Sequence, residues 1–231
     1  MKLLNSALSP FAARVRLAIH AGSLPVEPVP ANMWTSTGQK SPDFLAINPI
    51  GKVPTLILDD GTALPESDTI VEYLADVFPR AGLRPARPQD CARARLLARI
   101  VEHYVIAPGW GALFANLFAP ASDRAALDGA FAKIEEGLRH LAHFMTDDAY
   151  AVGDAITTAD CALVPFLTFQ DRIVSHLGRS DLLAAHPRVS AYLDRVQRDP
   201  AVQKVLAEMR DGLIGSRLAM LLRPDESPPA T

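Results

Sequence analysis

The sequence predicts an α/β domain with a mixed sheet, followed by an all-helical domain. Up to residue 80, short strand-like runs alternate with helical patterns, which is typical of an α/β unit. Beyond residue 88, apolar residues recur at helical spacing and no convincing strand pattern is found. Between these regions the chain is rich in proline and arginine, which indicates a linker. We therefore predict domains at 1–80 and 89–221, a linker at 81–88 and a frayed tail at 222–231.

The first domain alternates regularly between the two patterns. Ser9 is expected at the N-cap of the first helix, with Pro10 at its first position and Gly22 just past its end. Asp59-Asp60-Gly61 is a turn-forming run between two short apolar segments and predicts a hairpin. The predicted strands are 2–5, 26–29, 55–58 and 62–64, and the predicted helices are 10–21, 43–47 and 67–78.

The second domain is expected to contain only helices. The first of them should bend at Pro108-Gly109, because proline cannot continue the helical hydrogen-bond ladder. Another is apolar nearly all round, which predicts a central buried helix, and Thr157 with Asp160 forms a capping box at its start. The predicted helices are 89–118, 123–145, 158–174, 188–197 and 201–211.

Composition and charge argue against several classes of protein. The net charge of −3 is unlike that of a nucleic-acid-binding protein, which carries a basic excess. No apolar run is long enough to span a membrane, and Arg14 and Arg16 interrupt the N-terminal segment, so we expect no signal peptide. Cys91 and Cys161 show no metal-ligand spacing and predict free thiols, no metal site and a cytoplasmic location.

Four segments together resemble the soluble glutathione transferases, of the serine type and bacterial-like. They are SPFAARVRLA at 9–18, NPIGKVPTL at 48–56, PESDTI at 65–70 and GDAITTAD at 153–160. The resemblance covers essentially the whole chain. It implies a thioredoxin-like N-terminal domain, an all-α C-terminal domain, glutathione as co-substrate, no metal or redox cofactor, and a homodimer. In such dimers the small domain of one subunit pairs with the helical domain of the other.

The resemblance also implies where glutathione binds. The Val53-Pro54 bond would be cis, so that the Val53 backbone pairs with the cysteinyl part of glutathione; an ordinary trans turn is the alternative. Ser67 would cap the following helix and hold the γ-glutamyl carboxylate at its N-terminus, and Glu66 would hold the ammonium group. For this pair a plain N-cap with an exposed glutamate is the alternative. Gln39, Lys40 and Lys52 fall where the family binds the glycyl carboxylate.

The nucleophile implied by the resemblance is the glutathione thiol, whose pKa is ordinarily about 8.5. A hydroxyl that donates a hydrogen bond to the thiolate would lower that pKa. Serine-type relatives place the catalytic serine five positions before an Arg-Val pair, which selects Ser9 before Arg14-Val15. Ser6 is the alternative, and Ser9 could also be only the N-cap. Arg14 and Arg16 are expected to be structural or to face a dimer partner.

The second substrate is expected to be a hydrophobic electrophile bound between the domains. Candidate lining residues are His103, Tyr104, Trp110, Phe114, Leu8, Phe11 and Trp34. A glutathione-dependent isomerase of the maleylacetoacetate type is an alternative, although that family has a Ser-Ser-Cys run where this chain has Ser9-Pro10-Phe11. A non-catalytic glutathione-binding or regulatory protein is a third possibility, because the fold alone does not imply turnover.

Overall fold

The protein's structure is a computed structural model, which describes residues 1–33, 35–37, 39–223 and 226. Its strands are β1 (Lys2–Asn5), β2 (Glu27–Pro30), β3 (Thr55–Ile57) and β4 (Ala63–Pro65). Its α-helices are α1 (Pro10–Gly22), α2 (Pro42–Ile47), α3 (Ser67–Val77), α4 (Pro88–Ile100), α5 (Ala107–Phe118), α6 (Arg124–Phe144), α7 (Thr158–His176), α8 (Pro187–Val196) and α9 (Pro200–Leu213). Short 3₁₀ turns lie at Pro79–Ala81 and Ala219–Leu221.

The four strands form one mixed sheet in the order β2-β1-β3-β4. β1 pairs in parallel with β2 across the α1 crossover, whereas β3 pairs antiparallel with both β1 and β4. The β3–β4 turn contains Gly61 at a φ of 87°, a left-handed conformation that glycine adopts without strain. The predicted α/β domain with a mixed sheet, followed by a helical region, is therefore confirmed.

A π-helical segment precedes the position of the predicted bend. The segment Val101–Ile106 between α4 and α5 is π-helical, and the Ala107 N–H donates to the Glu102 carbonyl, five residues back. Pro108 is in the first turn of α5, directly after this segment. The wider turn therefore comes before the proline, and the expected bend at Pro108-Gly109 stays a prediction.

Helix α1 lies at the centre of the molecule and packs against α3, α7 and α9. Apolar residues of both parts of the chain form one continuous core, so no gap separates the sheet from the helices. Gly22 is the last residue of α1 and not the residue just past its end as predicted, and a Cβ there would lie 2.8 Å from Leu24 Cδ2 and 2.9 Å from Ala81 Cβ. The left-handed cap is instead Ser23, with a φ of 48°.

Helix α7 begins with the predicted capping box. The Thr157 side chain accepts from the backbone of the first turn, and Asp160 accepts from the Thr157 N–H at 2.9 Å. The Tyr192 hydroxyl and the Ala151 N–H also donate to Asp160, at 2.9 and 2.8 Å. Burial raises the pKa of the Asp160 carboxyl although these hydrogen bonds favour its ionised form. Asp160 is thus a folding element, as expected.

Among the described residues, no helix has the length and apolar character needed to cross a membrane. The predicted tail at 222–231 falls mostly on residues 224, 225 and 227–231, which lie outside the described part of the chain. Within the described part, Glu226 accepts two hydrogen bonds from Arg172, at 2.5 and 2.7 Å.

Candidate active site

A cavity of about 570 Å³ lies where the sheet domain meets the helical domain. One wall comes from the turn before β3, the end of β4 and the start of α3; the other comes from the π-helical segment and α5. The lining residues are Phe11, Asn48, Lys52, Val53, Pro54, Pro65, Glu66, Ser67, Glu102, Ile106, Ala107, Trp110 and Gly111. A larger but more open cleft of about 780 Å³, lined by His20, Tyr150 and Lys204, holds none of the predicted site residues.

The Val53-Pro54 peptide bond is cis, as predicted. Neither the Val53 N–H nor its carbonyl has a hydrogen-bond partner within the described part of the chain. The buried Asn48 side chain holds this turn, since its amide donates to the Lys52 carbonyl and to Thr55 Oγ1, both at 2.9 Å. The turn therefore presents a rigid and unpaired main-chain donor and acceptor to the cavity. Asn48 lies in a segment that carried the resemblance, but no role was predicted for it.

Ser67 and Glu66 both line the cavity, but the N-cap of α3 differs from the prediction. Glu66, not Ser67, occupies the N-cap position of α3, and it makes no side-chain cap hydrogen bond. Its φ of 70° is unusual for a residue with a side chain. Ser67 is the first helical residue and is 5% exposed. The expectation that Ser67 caps the helix is thus wrong, and the first N–H groups of α3 have no side-chain cap.

The Ser67 hydroxyl is held by a buried arginine. Arg14, 1% exposed, donates to Ser67 Oγ and to Asp68 Oδ1, both at 3.4 Å, and to Glu102 Oε2 at 3.3 Å. Arg99 also forms ion pairs with Asp68 and Glu102. Burial lowers the pKa of the Arg14 guanidinium, while the charges of Glu102 and Asp68 raise it. This cluster joins α1 and α3 to the π-helical segment directly behind the cavity.

Glu102 is a cavity residue that sequence reasoning missed. It belongs to the helical domain, yet it faces the same cavity as Glu66 and Ser67. Two carboxylates therefore border one cavity, a suitable place for an ammonium group. No local signal marks it, because Arg14, its hydrogen-bond partner, is 88 residues away.

Ser9 occupies the N-cap of α1, as predicted, and its Oγ accepts from the Ala12 N–H at 3.3 Å. It is half-buried and is not among the lining residues of the cavity in the described part of the chain. Accepting that hydrogen bond leaves the hydroxyl proton available to a second acceptor. Its neighbour Phe11 does line the cavity, so the start of α1 reaches the cavity edge.

The three residues predicted for the glycyl carboxylate are placed differently. Lys52 is exposed and lines the cavity. Lys40 runs along the turn at Gly51, where a Cβ would lie 2.8 Å from Lys40 Nζ. Gln39 is exposed in a short loop, with its N–H donating to Thr35 Oγ1 at 3.3 Å. Of the three, Lys52 alone is among the described lining residues.

An aromatic cluster forms the apolar side of the cavity. Phe11 contacts Trp110 edge to face, with 5.9 Å between ring centroids, and Phe114 packs behind Trp110 at 4.6 Å. Leu8 is partly buried and packs against the core, whereas His103 and Tyr104 are exposed and outside the cavity lining. Phe11 and Trp110 therefore match the predicted lining. Trp34 lies outside the described residues.

Two family models match the chain. The glutathione S-transferase N-terminal domain model matches residues 8–77, and the glutathione S-transferase C-terminal domain model matches residues 124–195. The first range contains every described cavity residue of the sheet domain, and the second contains α6, α7 and all but the last residue of α8.

Similar proteins cover most of the chain. A probable glutathione S-transferase of Oryza sativa subsp. japonica is 30% identical over 96% of this chain and 94% of its own. A maleylacetoacetate isomerase of Rhizobium meliloti (strain 1021) is 36% identical over 80% of this chain and 88% of its own. A sphingomonad glutathione S-transferase solved in complex with glutathione is 30% identical, with a TM-score of 0.69 over 90% of this chain and 98% of its own. The chain therefore belongs to the glutathione S-transferase family.

Proposed function

We propose that the protein is a glutathione transferase that joins the thiolate of glutathione to a hydrophobic electrophile. One observation carries this proposal: an unpaired main-chain donor and acceptor, a helix N-terminus and an aromatic wall border the same cavity. The main-chain groups and the helix N-terminus suit a tripeptide with an anionic end, and the aromatic wall suits an apolar acceptor.

Glutathione would lie along the sheet-domain wall. The Val53 N–H and carbonyl pair with the cysteinyl backbone of glutathione as a neighbouring strand would. Ser67 and the uncapped N–H groups of α3 bind the γ-glutamyl carboxylate, because that helix end favours negative charge. Glu66 and Glu102 bind the ammonium group from the two sides of the cavity.

The glycyl carboxylate would lie at the other end of the peptide. Among the described residues that line the cavity, Lys52 is the only cation, so it is the first candidate to bind this carboxylate. Lys40 and Gln39 lie in the preceding loop and would contribute only if that loop approaches the bound peptide.

Ser9 would activate the thiol. Its hydroxyl donates a hydrogen bond to the sulfur anion, and the thiol proton passes to solvent. Lowering the thiol pKa by about two units requires about 2.7 kcal/mol in favour of the anion. One hydrogen bond to a charged acceptor supplies about 1.5–3 kcal/mol, so a single hydroxyl is sufficient. Ser6 remains the alternative donor.

The thiolate would then attack the electrophile against the aromatic wall. Phe11 and Trp110 present their rings to the cavity and suit an aromatic or otherwise apolar acceptor. In a displacement, the carbon–sulfur bond forms while the leaving group departs with its electron pair. The protein supplies thiolate stabilisation and alignment of the two substrates.

The test is a pH titration of the thiol of bound glutathione, monitored by the ultraviolet absorption of the thiolate. The wild-type complex should show a thiol pKa well below that of free glutathione, together with turnover of an aryl halide. Ser9→Gly removes the hydroxyl but keeps most of the N-cap stability, since glycine costs only a few tenths of a kcal/mol there. It should raise the thiol pKa and lower kcat/KM, whereas Ser6→Ala should not. The reverse pattern would assign the role to Ser6.

The isomerase alternative has one observation in its favour, the 36% identity to a maleylacetoacetate isomerase. Such a substrate carries two carboxylates. Among the described cavity residues Lys52 is the only cation, and it is already assigned to glutathione. We therefore place isomerisation second. Loss of maleylacetoacetate with catalytic rather than stoichiometric glutathione would establish it, and failure to turn over any electrophile would favour a non-catalytic glutathione-binding protein.

A homodimer and a cytoplasmic location complete the proposal. Val77 at the end of α3 is 44% exposed and Leu96 on α4 is 40% exposed, so apolar side chains face outwards on both domains. This pattern fits pairing of the small domain of one subunit with the helical domain of another. Light scattering should give twice the subunit mass for the wild type, and Leu96→Glu should shift it towards the monomer. The location remains a prediction from the sequence.

A further inference from the structure

The loop between β1 and α1 carries both candidate serines, and one side chain holds it. Arg16, on α1, donates to Asn5 Oδ1 at 2.6 Å, to the Ser6 carbonyl at 3.0 Å and to the Ala7 carbonyl at 2.9 Å. The Ser9 N–H donates to the same Ser6 carbonyl at 3.1 Å. The path of the chain into Ser9 is therefore defined by the guanidinium of Arg16.

Helix α9 of the helical domain holds Arg16 in turn. The Arg16 Nε donates to Glu208 Oε2 at 2.7 Å, and His20 Nε2 lies 2.8 Å from Glu208 Oε1. Burial of the Glu208 carboxyl would raise its pKa, but hydrogen bonds and charges from His20 and Arg16 lower it overall. Arg16 itself is only 2% exposed. Both oxygens of one carboxylate thus bind α1, and the guanidinium uses its remaining donors on the loop.

The backbone of α9 also touches the loop. At Gly212 a Cβ would lie 2.8 Å from the Leu8 nitrogen and 3.0 Å from the Ala7 carbonyl carbon. These are main-chain atoms and cannot move aside as a side chain could. Glycine therefore allows α9 to approach within contact distance of the residues that immediately precede Ser9.

This arrangement contributes more to the geometry of the loop before Ser9 than to the stability of the protein. A buried ion pair is often no more stabilising than apolar residues of similar volume, because burying the charges is costly. A guanidinium, however, is a planar fork that fixes two carbonyl oxygens at a set spacing, which lysine cannot do. The hydroxyl that activates a thiol must be aligned with the sulfur, because a small displacement of a catalytic group greatly lowers the reaction rate.

We propose that Arg16, Glu208 and Gly212 are positioning residues, which set the place of the thiol-activating serine from the helical domain. This inference rests on the proposed function. It assigns no contact with substrate to any of the three residues. Their effect passes through the loop at 5–9.

Three variants test the proposal. Arg16→Lys keeps the positive charge but loses the fork, and Glu208→Gln keeps the shape but loses the charge. Gly212→Ala leaves both charges in place and pushes on the loop directly. The matched control is Glu226→Gln, since Arg172 likewise binds both oxygens of Glu226 and a backbone carbonyl, that of Leu221. Neither residue of the control pair hydrogen-bonds to residues 5–9 in the described part of the chain.

The readouts separate positioning from folding. We expect kcat/KM to fall about 10- to 100-fold in the three test variants, the magnitude typical of a misplaced catalytic group. The pKa of the bound thiol should rise, while KM for glutathione changes less than threefold because Val53 and Ser67 are untouched. The control should keep the wild-type thiol pKa. If Arg16→Lys does not fold, Gly212→Ala decides.

Two outcomes overturn the proposal, and they differ in whether the proposed function is also wrong. If wild-type bound glutathione shows a lowered thiol pKa that all folded test variants retain, the inference is wrong and the proposed function stands. If the wild type itself shows no lowered thiol pKa, thiol activation by this protein is wrong and the inference falls with it. In the first of these outcomes, a loss of stability in the variants would identify the cluster as structural only.

Discussion

Gly137 on α6 is the position where the addition of a single methyl group should be most damaging. A Cβ there would lie 2.0 Å from the Tyr104 carbonyl oxygen, 2.5 Å from its carbonyl carbon and 2.9 Å from the Val105 nitrogen. All three are backbone atoms of the π-helical segment. Gly137→Ala must therefore either separate α6 from that segment or reshape the segment itself.

The expected change in the free energy of unfolding of Gly137→Ala follows from two opposing effects. Overpacking a well-packed interior costs about 1–3 kcal/mol, and a clash with rigid main chain belongs at the upper end of that range. Alanine has a higher helix propensity than glycine by about 1 kcal/mol, which offsets part of the cost. We expect Gly137→Ala to lower the free energy of unfolding by about 2 kcal/mol.

Gly129 provides the control because it lies on the same helix. It is exposed, and a Cβ there would meet no atom within 4 Å. Gly129→Ala should therefore show only the propensity effect and stabilise the protein by up to about 1 kcal/mol. Urea unfolding at one protein concentration measures both variants.

The same substitution should also affect the cavity, because Glu102 belongs to the segment that Gly137 contacts. We expect KM for glutathione to rise in Gly137→Ala and to stay at the wild-type value in Gly129→Ala. If Gly137→Ala proves as stable as Gly129→Ala, the close packing of α6 against the π-helical segment is refuted, and with it our account of how that segment is held.

Three further predictions concern single side chains. Arg14→Met should lower the free energy of unfolding by about 2 kcal/mol, less than the ~3–5 kcal/mol expected when a fully buried ion pair is broken, because Arg99 still neutralises the carboxylates. It should also raise KM for glutathione, and an unchanged KM would contradict the role of Arg14 in holding Ser67. Glu66→Gly should relieve about 1 kcal/mol of backbone strain yet raise KM for glutathione, whereas Ser23→Gly, also at positive φ, should leave KM unchanged. Burial lowers the pKa of His186, so the unfolded chain binds its proton more readily, and the free energy of unfolding should fall as pH drops below the ordinary value of 6.5. His186→Gln should flatten that acid limb in urea unfolding, and the exposed His176→Gln should not.

The parts of the fold that sequence could predict are those coded by neighbouring residues. Ser9 and Pro10 begin α1, and Thr157 and Asp160 begin α7, because a cap acts within one helical turn. The Val53-Pro54 turn was predicted for a different reason, its place in a family motif. These features hold whatever packs against them.

The features that escaped prediction depend on distant parts of the chain. The π-helical segment meets Gly137, and Glu102 meets Arg14, across separations that no local pattern records. The place of Glu66 rather than Ser67 at the N-cap of α3 was missed because a glutamate at positive φ has no local signature. A glycine in mid-helix, as at Gly137, is the one signal that could have indicated a close approach.

Arg14 and Arg16 show how one helix couples both ends of the cavity to the helical domain. Residues two apart on an α-helix project about 200° apart, so the two guanidiniums leave α1 on opposite sides. One reaches Ser67 and Glu102, where the γ-glutamyl end of glutathione would bind, and the other reaches Glu208 and the loop before Ser9. Two of the carboxylate partners, Glu102 and Glu208, lie beyond residue 88, whereas Asp68 belongs to the sheet domain. Without the helical domain Arg16 would lose its carboxylate partner and Arg14 would keep only Asp68, so the geometry of the binding site depends on the helical domain as well.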